Sequence, residues 1–212
     1  YMAYPHAFTP EEGCVSWLDE CHERFAAMQM ALTLYVKRGG FEKISLGLSG
    51  GLDSAVVAAL AVSVVGAENV NAYILPSRFT STESFEDAAA LAKNLGLKLR
   101  ELPIMPAIDM LAETASRYVP YWGDKGLMQE NLQARVRGLL LMSLSNADHS
   151  LVLNTGNKSE LSVGYCTLYG DMVGGLAPLA DIYKSDLYRM CYSVEYLSRV
   201  IPKNILTKAP TA

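Results

Sequence analysis

The sequence Ser-Gly-Gly-Leu-Asp-Ser, which begins at Ser49, combines the residue types that bind phosphate at the start of a helix. Two adjacent glycines, Gly50 and Gly51, let the backbone turn sharply and approach a ligand closely. The free N–H groups of a helix N-terminus favour an anion, and the hydroxyl of Ser54 adds a donor. Asp53 suits such a site when a divalent cation is present, because a carboxylate and phosphate oxygens together hold Mg²⁺. The loop therefore predicts a magnesium-dependent phosphate site.

A simpler interpretation of the same loop is a helix N-cap, with Asp53 or Ser49 as the capping residue. Capping alone does not require two glycines and two serines together, so the phosphate interpretation is preferred. The loop has neither the G-x-x-x-x-G-K-[ST] pattern of a Walker A loop nor the G-x-G-x-x-G pattern of many dehydrogenases.

Alternating strands and helices are predicted to position this loop. Strands are expected at 43–48, 70–75, 98–103 and 151–154. Helices are expected at 11–38, 55–65, 84–95, 106–118, 129–146, 157–162 and 184–199, and loops at 120–125 and 164–178. Such alternation predicts an α/β fold with a doubly wound, mostly parallel sheet and right-handed crossovers.

Three segments that follow predicted strands are expected to share one rim of this sheet, because ligands bind beyond the carboxyl ends of parallel strands. These segments are 49–54, 76–78 and 155–160.

Bulk composition limits the class of protein and its partners. The 212 residues are 50% hydrophobic with a formal net charge of −4, which is ordinary globular composition and argues against broad nucleic-acid binding. The start lacks the pattern of a signal peptide, and the most apolar stretch, 54–65, is too short to span a bilayer. We expect a cytoplasmic protein with reduced cysteines and no nucleic-acid or membrane partner.

The loop at Ser49 resembles the PP-loop of the ATP pyrophosphatases, which cleave ATP between the α- and β-phosphates and adenylate a substrate. Four further segments are similar to motifs of the NAD synthetases: E-N-L-Q-A-R-V-R-G at 130–138, L-N-T-G-N-K-S-E at 153–160, G-Y-C-T-L-Y-G-D-M with a following Gly-Gly at 164–175, and L-T-K-A-P-T-A at 206–212. The resemblance covers the chain from about residue 40 onward. It implies a Rossmann-like sheet of the adenine nucleotide alpha hydrolase, or PP-loop, type.

This resemblance divides the chain into an N-terminal helical segment, 1–40, and a PP-loop domain, 41–212, which we expect to be truncated at both ends. Single-domain family members typically carry Lys where Leu168 stands and Asp near Gly175, and these charges are missing here. The other form of the family has an N-terminal nitrilase-like glutaminase that supplies ammonia. The chain therefore resembles the synthetase domain of the glutamine-dependent form.

The family's reaction implies ATP and Mg²⁺ as cofactors and deamido-NAD and ammonia as substrates. The resemblance also implies a homodimer or higher homo-oligomer, whose dimer interface completes the substrate site. The nicotinate carboxylate of deamido-NAD is adenylated, and ammonia then gives NAD and AMP. Two alternatives stay open: another PP-loop amidotransferase such as GMP synthetase, and an ATP-binding module without turnover.

Similarity to the family also implies a role for individual residues. The expected ATP contacts are Ser49, Gly50, Gly51, Asp53, Ser54, Arg78, Thr155, Lys184 and Thr211. The expected deamido-NAD contacts are Asn131, Arg135, Glu160, Tyr165 and Asp171. Asp53 and Glu160 are the expected Mg²⁺ ligands, and they form the catalytic set with Lys184.

Most of these residues also have a simpler structural interpretation. Glu160 suits the first turn of a helix as a charge that complements the dipole, and Thr155 suits a helix N-cap. Arg78 is a plausible solvated loop residue, Arg135 a partner in an i, i+4 surface pair, and Tyr165 a core aromatic.

Overall fold

The computed structural model describes residues 19–118 and 126–209, so the predicted loop at 120–125 and the expected ATP contact Thr211 lie outside the described residues. The strands are β1 (Lys43–Gly47), β2 (Val70–Ile74), β3 (Leu99–Glu101) and β4 (Ser150–Val152). The helices are α1 (Glu20–Gly39), α2 (Leu52–Val65), α3 (Thr82–Leu95), α4 (Met105–Ser116), α5 (Leu127–Asp148), α6 (Lys158–Val163), α7 (Lys184–Ser193), α8 (Glu195–Val200) and α9 (Lys203–Thr207).

The four strands form one sheet in the order β3-β2-β1-β4, and every neighbouring pair is parallel. This confirms the predicted α/β fold. The chain moves outward from β1 to β2 and β3, and β4 then returns to the other side of β1. The loops that follow β1 and β4 therefore lie side by side at the switch point, where open α/β sheets bind ligands.

Helices cover both faces of the sheet, as the alternation along β2 shows. Ala72 and Ile74 belong to a large buried cluster with α1, α2, α3, α7 and α8, whereas Tyr73 and Leu75 belong to a second cluster with α4 and α5. Successive residues of a strand point to opposite faces, so a short apolar strand contributes to both layers. The predicted doubly wound arrangement is thereby confirmed.

Helix α2 is the central helix of the larger layer. Its residues Ala55–Ala61 are fully buried, and the helix packs against α1, α3, α7 and α8 as well as the sheet. A helix that is apolar all round is stable only when it is surrounded. The small side chains of this helix let several neighbours approach, which fixes its N-terminus close beneath the predicted phosphate loop.

The beginnings of two helices differ from the sequence expectations. Helix α2 begins at Leu52 rather than at residue 55, so Asp53 and Ser54 lie in its first turn. Helix α1 begins at Glu20 rather than at residue 11, because the side chain of Asp19 accepts hydrogen bonds from two first-turn N–H groups and caps the helix there. Residues 11–18 are outside the described ranges.

The expectation of one helix over 184–199 is wrong. Val194 has extended backbone angles of φ −80° and ψ 110°, and it separates α7 from α8. The break turns the chain so that Leu197 and Val200 become buried, and α8 packs on α2 and α3. No glycine or proline marks this break, so burial of α8 is its physical cause. None of the helices in the described parts of the chain is long and apolar enough to cross a membrane.

Candidate active site

The loop after β1 has a conformation that only glycine accommodates easily. Gly50 has a φ of 76°, and a Cβ atom there would lie 2.2 Å from the main-chain oxygen of Ser84 at the start of α3. Gly51 occupies the N-cap position of α2 and supplies no side-chain cap. The first amide groups of α2 consequently face the loop without a competing side-chain cap, as an anion site requires.

The two serines of the loop are linked to each other. The Oγ atoms of Ser49 and Ser54 are 3.1 Å apart, and Ser54 Oγ also accepts a hydrogen bond from the Ser49 N–H at 3.2 Å and donates to Gly51 O at 3.1 Å. These bonds close the loop into a compact turn, to which the Gly51 N–H adds a hydrogen bond of 3.2 Å to Ser49 Oγ. Neither Asp53 nor Ser49 is the helix cap, so the simpler interpretation of the motif is wrong.

Asp53 is the meeting point of three segments that are far apart in sequence. Its Oδ1 atom accepts a hydrogen bond of 3.0 Å from Asn157 Nδ2, and its Oδ2 atom forms an ion pair with Lys184 Nζ. The side chain of Asp53 is 17% exposed and that of Lys184 is 27% exposed. The start of α2, the loop after β4 and the start of α7 thus converge on one partly buried carboxylate.

Asn157 and Glu160 form a capping box at the start of α6. Asn157 Oδ1 accepts from the Glu160 N–H at 3.1 Å, and Glu160 Oε2 accepts from the Asn157 N–H at 3.0 Å. Burial raises the pKa of the Glu160 carboxyl, the Asn157 N–H opposes that rise, and the negative charge of Asp53 adds to it. Glu160 therefore has the helix-start contact of the simpler interpretation and also lies within electrostatic range of Asp53.

Thr155 and Lys184 are held beside this box by the chain around them. Asn157 rather than Thr155 caps α6, so the cap interpretation of Thr155 is wrong, and Thr155 remains a half-buried residue of the rim. The backbone N–H of Lys184 donates to Ser159 Oγ at 3.1 Å. This bond fixes the start of α7 against α6 and directs the Lys184 ammonium to Asp53.

Three of the expected deamido-NAD contacts, Asn131, Arg135 and Asp171, form a separate group in which α5 contacts the segment 164–175, here called the 164–175 loop. Glu160 lies instead with Asp53. Thr167 Oγ1 donates to Asn131 Oδ1 at 2.8 Å, and Arg135 Nε donates to Leu168 O at 3.2 Å. Arg135 thus contacts the 164–175 loop. The structure does not show the i, i+4 surface pair of the simpler interpretation among the described contacts of Arg135.

The 164–175 loop approaches α5 closely. A Cβ atom on Gly138 would lie 2.8 Å from Gly170 O, so glycine at this helix position admits the loop backbone. Asp171 Oδ1 accepts from the Thr167 N–H at 2.8 Å and stabilises the turn. Tyr165 is 62% exposed, so it is not a core aromatic.

Arg78 lies at a third place on the rim. It is an exposed residue whose guanidinium is 5.8 Å from the centre of the Phe79 ring and 3.8 Å from Asp109 Oδ1. It lines a cavity of about 80 Å³ between α4 and α5. Within the described ranges, no hydrogen bond or ion pair joins Arg78 to the loop at Ser49, so it stays apart from the Asp53 group.

Three polar residues at the rim were not assigned a role from the sequence. Asn157 is 1% exposed and orients Asp53. Asn154 donates from Nδ2 to Asp171 O at 2.6 Å and links the 164–175 loop to the end of β4. Lys208 forms a buried ion pair with Asp87, which joins the segment after α9 to α3. Asn157 lies at the start of a predicted helix, and an asparagine at that position is a capping signal in the sequence. The contacts of Asn154 and Lys208 depend on tertiary structure and leave no such signal.

The chain is similar to the proteins of one known family over most of its length. A family model described as NAD synthase matches residues 24–212. The glutamine-dependent NAD(+) synthetase of Thermotoga maritima is 48% identical over 192 residues, which cover 90% of this chain and 33% of that protein. The enzyme of the same name from Synechocystis sp. is 46% identical over 195 residues, which cover 91% of this chain and 34% of that protein.

A solved structure is similar over nearly the same extent. The glutamine-dependent NAD+ synthetase from Acinetobacter baumannii, in complex with adenosine diphosphate, has a TM-score of 0.87 and 44% sequence identity, and the match covers 94% of this chain and 38% of that one. The chain thus spans about a third of the length of the curated relatives it matches. Because the family model covers most of the chain and the fold agrees, the chain belongs to the NAD synthase family.

Proposed function

We propose that this chain adenylates the nicotinate carboxylate of deamido-NAD with ATP and then amidates it with ammonia, giving NAD, AMP and pyrophosphate. The convergence of Asn157 and Lys184 on Asp53, beside the serine and glycine loop, carries the proposal. This arrangement combines backbone donors, a cation and a carboxylate at one point of the rim. Those three groups are what a reaction that separates pyrophosphate from AMP requires.

The proposal assigns Mg²⁺ to Asp53 and Glu160, and the chemistry of the donors fits that ion. Both are carboxylates, and their charges influence each other in the folded chain. Mg²⁺ is typically held by one or two carboxylates together with substrate phosphates. When bound, the ion neutralises charge that develops on the phosphate oxygens.

In the first step a nicotinate carboxylate oxygen attacks the α-phosphorus of ATP, and the bond to the β-phosphate oxygen breaks. The first-turn amides of α2 and the hydroxyls of Ser49 and Ser54 face the β- and γ-phosphates in this proposal. The Lys184 ammonium, part-buried at the same point, stabilises the negative charge that leaves with pyrophosphate.

In the second step the nitrogen of ammonia attacks the carboxyl carbon, the bond to AMP breaks, and the nitrogen loses a proton. Asn131 and Arg135 hold the 164–175 loop against α5, and Asp171 stabilises the turn of that loop. In this proposal the three residues shape the place of the dinucleotide. Tyr165, with its exposed ring, is assigned to the nicotinate end of the substrate.

Two other functions make different predictions. A GMP synthetase would release pyrophosphate with XMP and not with deamido-NAD. A nucleotide-binding module without turnover would bind ATP and release no pyrophosphate with any acceptor. The partly buried Asp53–Lys184 pair favours turnover, because simple binding of a nucleotide has less need of such a pair.

The test is to measure pyrophosphate release and NAD formation from ATP and Mg²⁺, with deamido-NAD or XMP as acceptor and with or without ammonium. We expect pyrophosphate release that depends on deamido-NAD, and NAD formation that also needs ammonium. ATP binding without pyrophosphate release from either acceptor would contradict the proposal for this chain.

The full-length protein is proposed to be a cytoplasmic homodimer with an N-terminal glutaminase domain. The glutaminase domain is supported by the name of the relatives and by the third of their length that the chain spans. Ammonium is then expected to replace glutamine for this chain, while the full-length protein uses either.

Leu139 is 63% exposed on α5 and is a candidate contact of the dimer. Sedimentation of the wild type and of Leu139→Glu would test the dimer.

A further inference from the structure

The carboxylate of Asp53 has both of its oxygens engaged by the protein itself. Asn157 Nδ2 donates to Oδ1 at 3.0 Å, and the Lys184 ammonium contacts Oδ2. Glu160 is engaged through one oxygen, because its Oε2 accepts from the Asn157 N–H at 3.0 Å. Of the two proposed metal ligands, Asp53 is therefore the one whose oxygens both have a protein partner in the described residues.

We propose that Lys184 is an internal counter-ion of Asp53, which keeps this carboxylate closed to a divalent cation until the phosphates of a nucleotide attract the ammonium away. The inference rests on the proposed function, since it assumes that Asp53 receives the metal. It adds an order of events: the lysine leaves the Asp53 oxygen before the metal occupies it. Lys184 is thus a positioning residue for the metal as well as a phosphate contact.

The Lys184 ammonium and a divalent cation compete for Asp53 because of their charge and because of the space they need. The ammonium and a divalent cation seek the same oxygen, and two cations within about 4 Å of each other repel by several kcal/mol at a protein surface. Nucleotide phosphates offer the ammonium another anion, so the lysine changes partner without losing its charge compensation. Lysine suits this exchange because its ammonium is a compact charge on a flexible stem.

The backbone around Lys184 is fixed, so the exchange requires movement of the side chain alone. Its N–H donates to Ser159 Oγ, and two residues later Asp186 accepts from Arg24 of α1 at 2.7 Å. These bonds hold the start of α7 against α6 and α1. The side chain itself is 27% exposed, which leaves it room to move toward a ligand at the rim.

The experiment measures Mn²⁺ binding by electron paramagnetic resonance in the absence of nucleotide, because ATP chelates the ion and would obscure the effect. We expect Lys184→Gln to bind Mn²⁺ about tenfold more tightly than the wild type, or more, because a repelling charge is removed. Lys184→Arg keeps the charge and is expected to bind Mn²⁺ as weakly as the wild type. A Lys184→Gln affinity within about twofold of the wild type would overturn the proposal.

Two controls locate the effect. Asp53→Asn combined with Lys184→Gln is expected to show no gain, and a gain that persists in this double variant would overturn the assignment to Asp53. Lys158→Gln is the matched control, since Lys158 also pairs with an aspartate, Asp181, at 2.5 Å but away from Asp53. Its Mn²⁺ affinity is expected to equal that of the wild type.

A measurement on the unaltered chain covers the case in which Lys184→Gln does not fold. Saturating Mn²⁺ is expected to raise the rate at which an amine reagent modifies Lys184, followed by mass spectrometry, while the rate at Lys158 stays constant. An unchanged rate at Lys184 would overturn the proposal. The Mn²⁺ affinity and the modification rate of Lys184 are measured without turnover. Failure to form NAD would therefore contradict the proposed function, whereas the role of Lys184 as counter-ion is decided by these two measurements.

Discussion

At the scale of single residues, Asp53 joins distant parts of the chain, because it pairs with Lys184 and accepts a hydrogen bond from Asn157. Asp53→Asn keeps the shape and the acceptor for Asn157 but removes the charge. We expect pyrophosphate release to fall by about a hundredfold or more.

Folding of the same variant should be little affected, since Lys184 reaches solvent and the free energy of unfolding should fall by about 1 kcal/mol. Urea unfolding and a pyrophosphate assay measure the two effects. Near-normal pyrophosphate release would remove Asp53 from the catalytic set, and a large loss of stability would give it a structural role instead.

Gly50 provides a second prediction at this scale. Gly50→Ala places a Cβ atom against the Ser84 carbonyl, so we expect a loss of about 3 kcal/mol or more in the free energy of unfolding and weaker ATP binding. Gly40→Ala is the matched control, because Gly40 has a similar φ of 68° but nothing within 4 Å of the added atom.

Gly40→Ala should cost only about 1 kcal/mol for its left-handed backbone. Thermal unfolding and nucleotide titration of both variants make the comparison. Equal effects of the two substitutions would show that the contact with Ser84 is unimportant.

The residues of the candidate site were visible in the sequence to different degrees. The loop at Ser49 was predicted from its composition alone, because glycine and serine at a strand-to-helix junction have few other uses. The roles of Asn131, Arg135 and Asp171 came from a resemblance and stay predictions. Asn157 was missed, since its contact with Asp53 joins residues that are 104 positions apart.

At the scale of elements, Asp186 joins α1 to α7. Hydrogen bonds from Arg189 first, and from Arg24, lower the pKa of the Asp186 carboxyl below its ordinary value of 3.8, although burial opposes them. A lowered folded-state pKa means that this carboxylate stabilises the fold above pH 3.8 and that the contribution is lost as the pH falls through the folded-state pKa.

We therefore expect Asp186→Asn to be less stable than the wild type at pH 7, with the difference shrinking in acid below pH 3.8. Urea unfolding at a series of pH values from neutral to acid would measure this. Asp181→Asn is the control, because Asp181 is 91% exposed and its pair with Lys158 should contribute little at any pH. A difference for Asp186→Asn that stays constant in acid would contradict the prediction.

The order and type of most elements were predictable, because apolar runs and helical periodicity differ clearly along this chain. The exact ends were less predictable. Helix α2 extends forward to Leu52 because Gly51 takes the cap position, and no side chain signals that start. The break at Val194 results from burial of α8 in the layer beside α2, and local sequence carries no such information.

At the scale of the whole molecule, α1 shares the core of the sheet. Leu32 is fully buried in the same cluster as β1 and α2, although the sequence suggested a separate segment that ends at residue 40. That division stays a prediction, and one pair of substitutions measures how strongly the segment contributes.

Leu32→Ala should lower the free energy of unfolding of the whole chain by about 3 kcal/mol, because it leaves a cavity in the common core. Leu34→Ala, on the same helix but 48% exposed, should cost less than about 1 kcal/mol. Denaturant unfolding gives both values. Similar small losses, or a separate transition for α1, would indicate that the segment folds independently.

The position of β4 next to β1 also has a consequence for the order of folding. The pairing of β1 with β2 closes a short stretch of chain, whereas Asp53 meets Asn157 and Lys184 only across separations of 104 and 131 residues. Contacts that close long loops form late. During synthesis the loop at Ser49 is therefore complete long before its partners emerge from the ribosome, and high affinity for nucleotide should be among the last properties that the chain acquires.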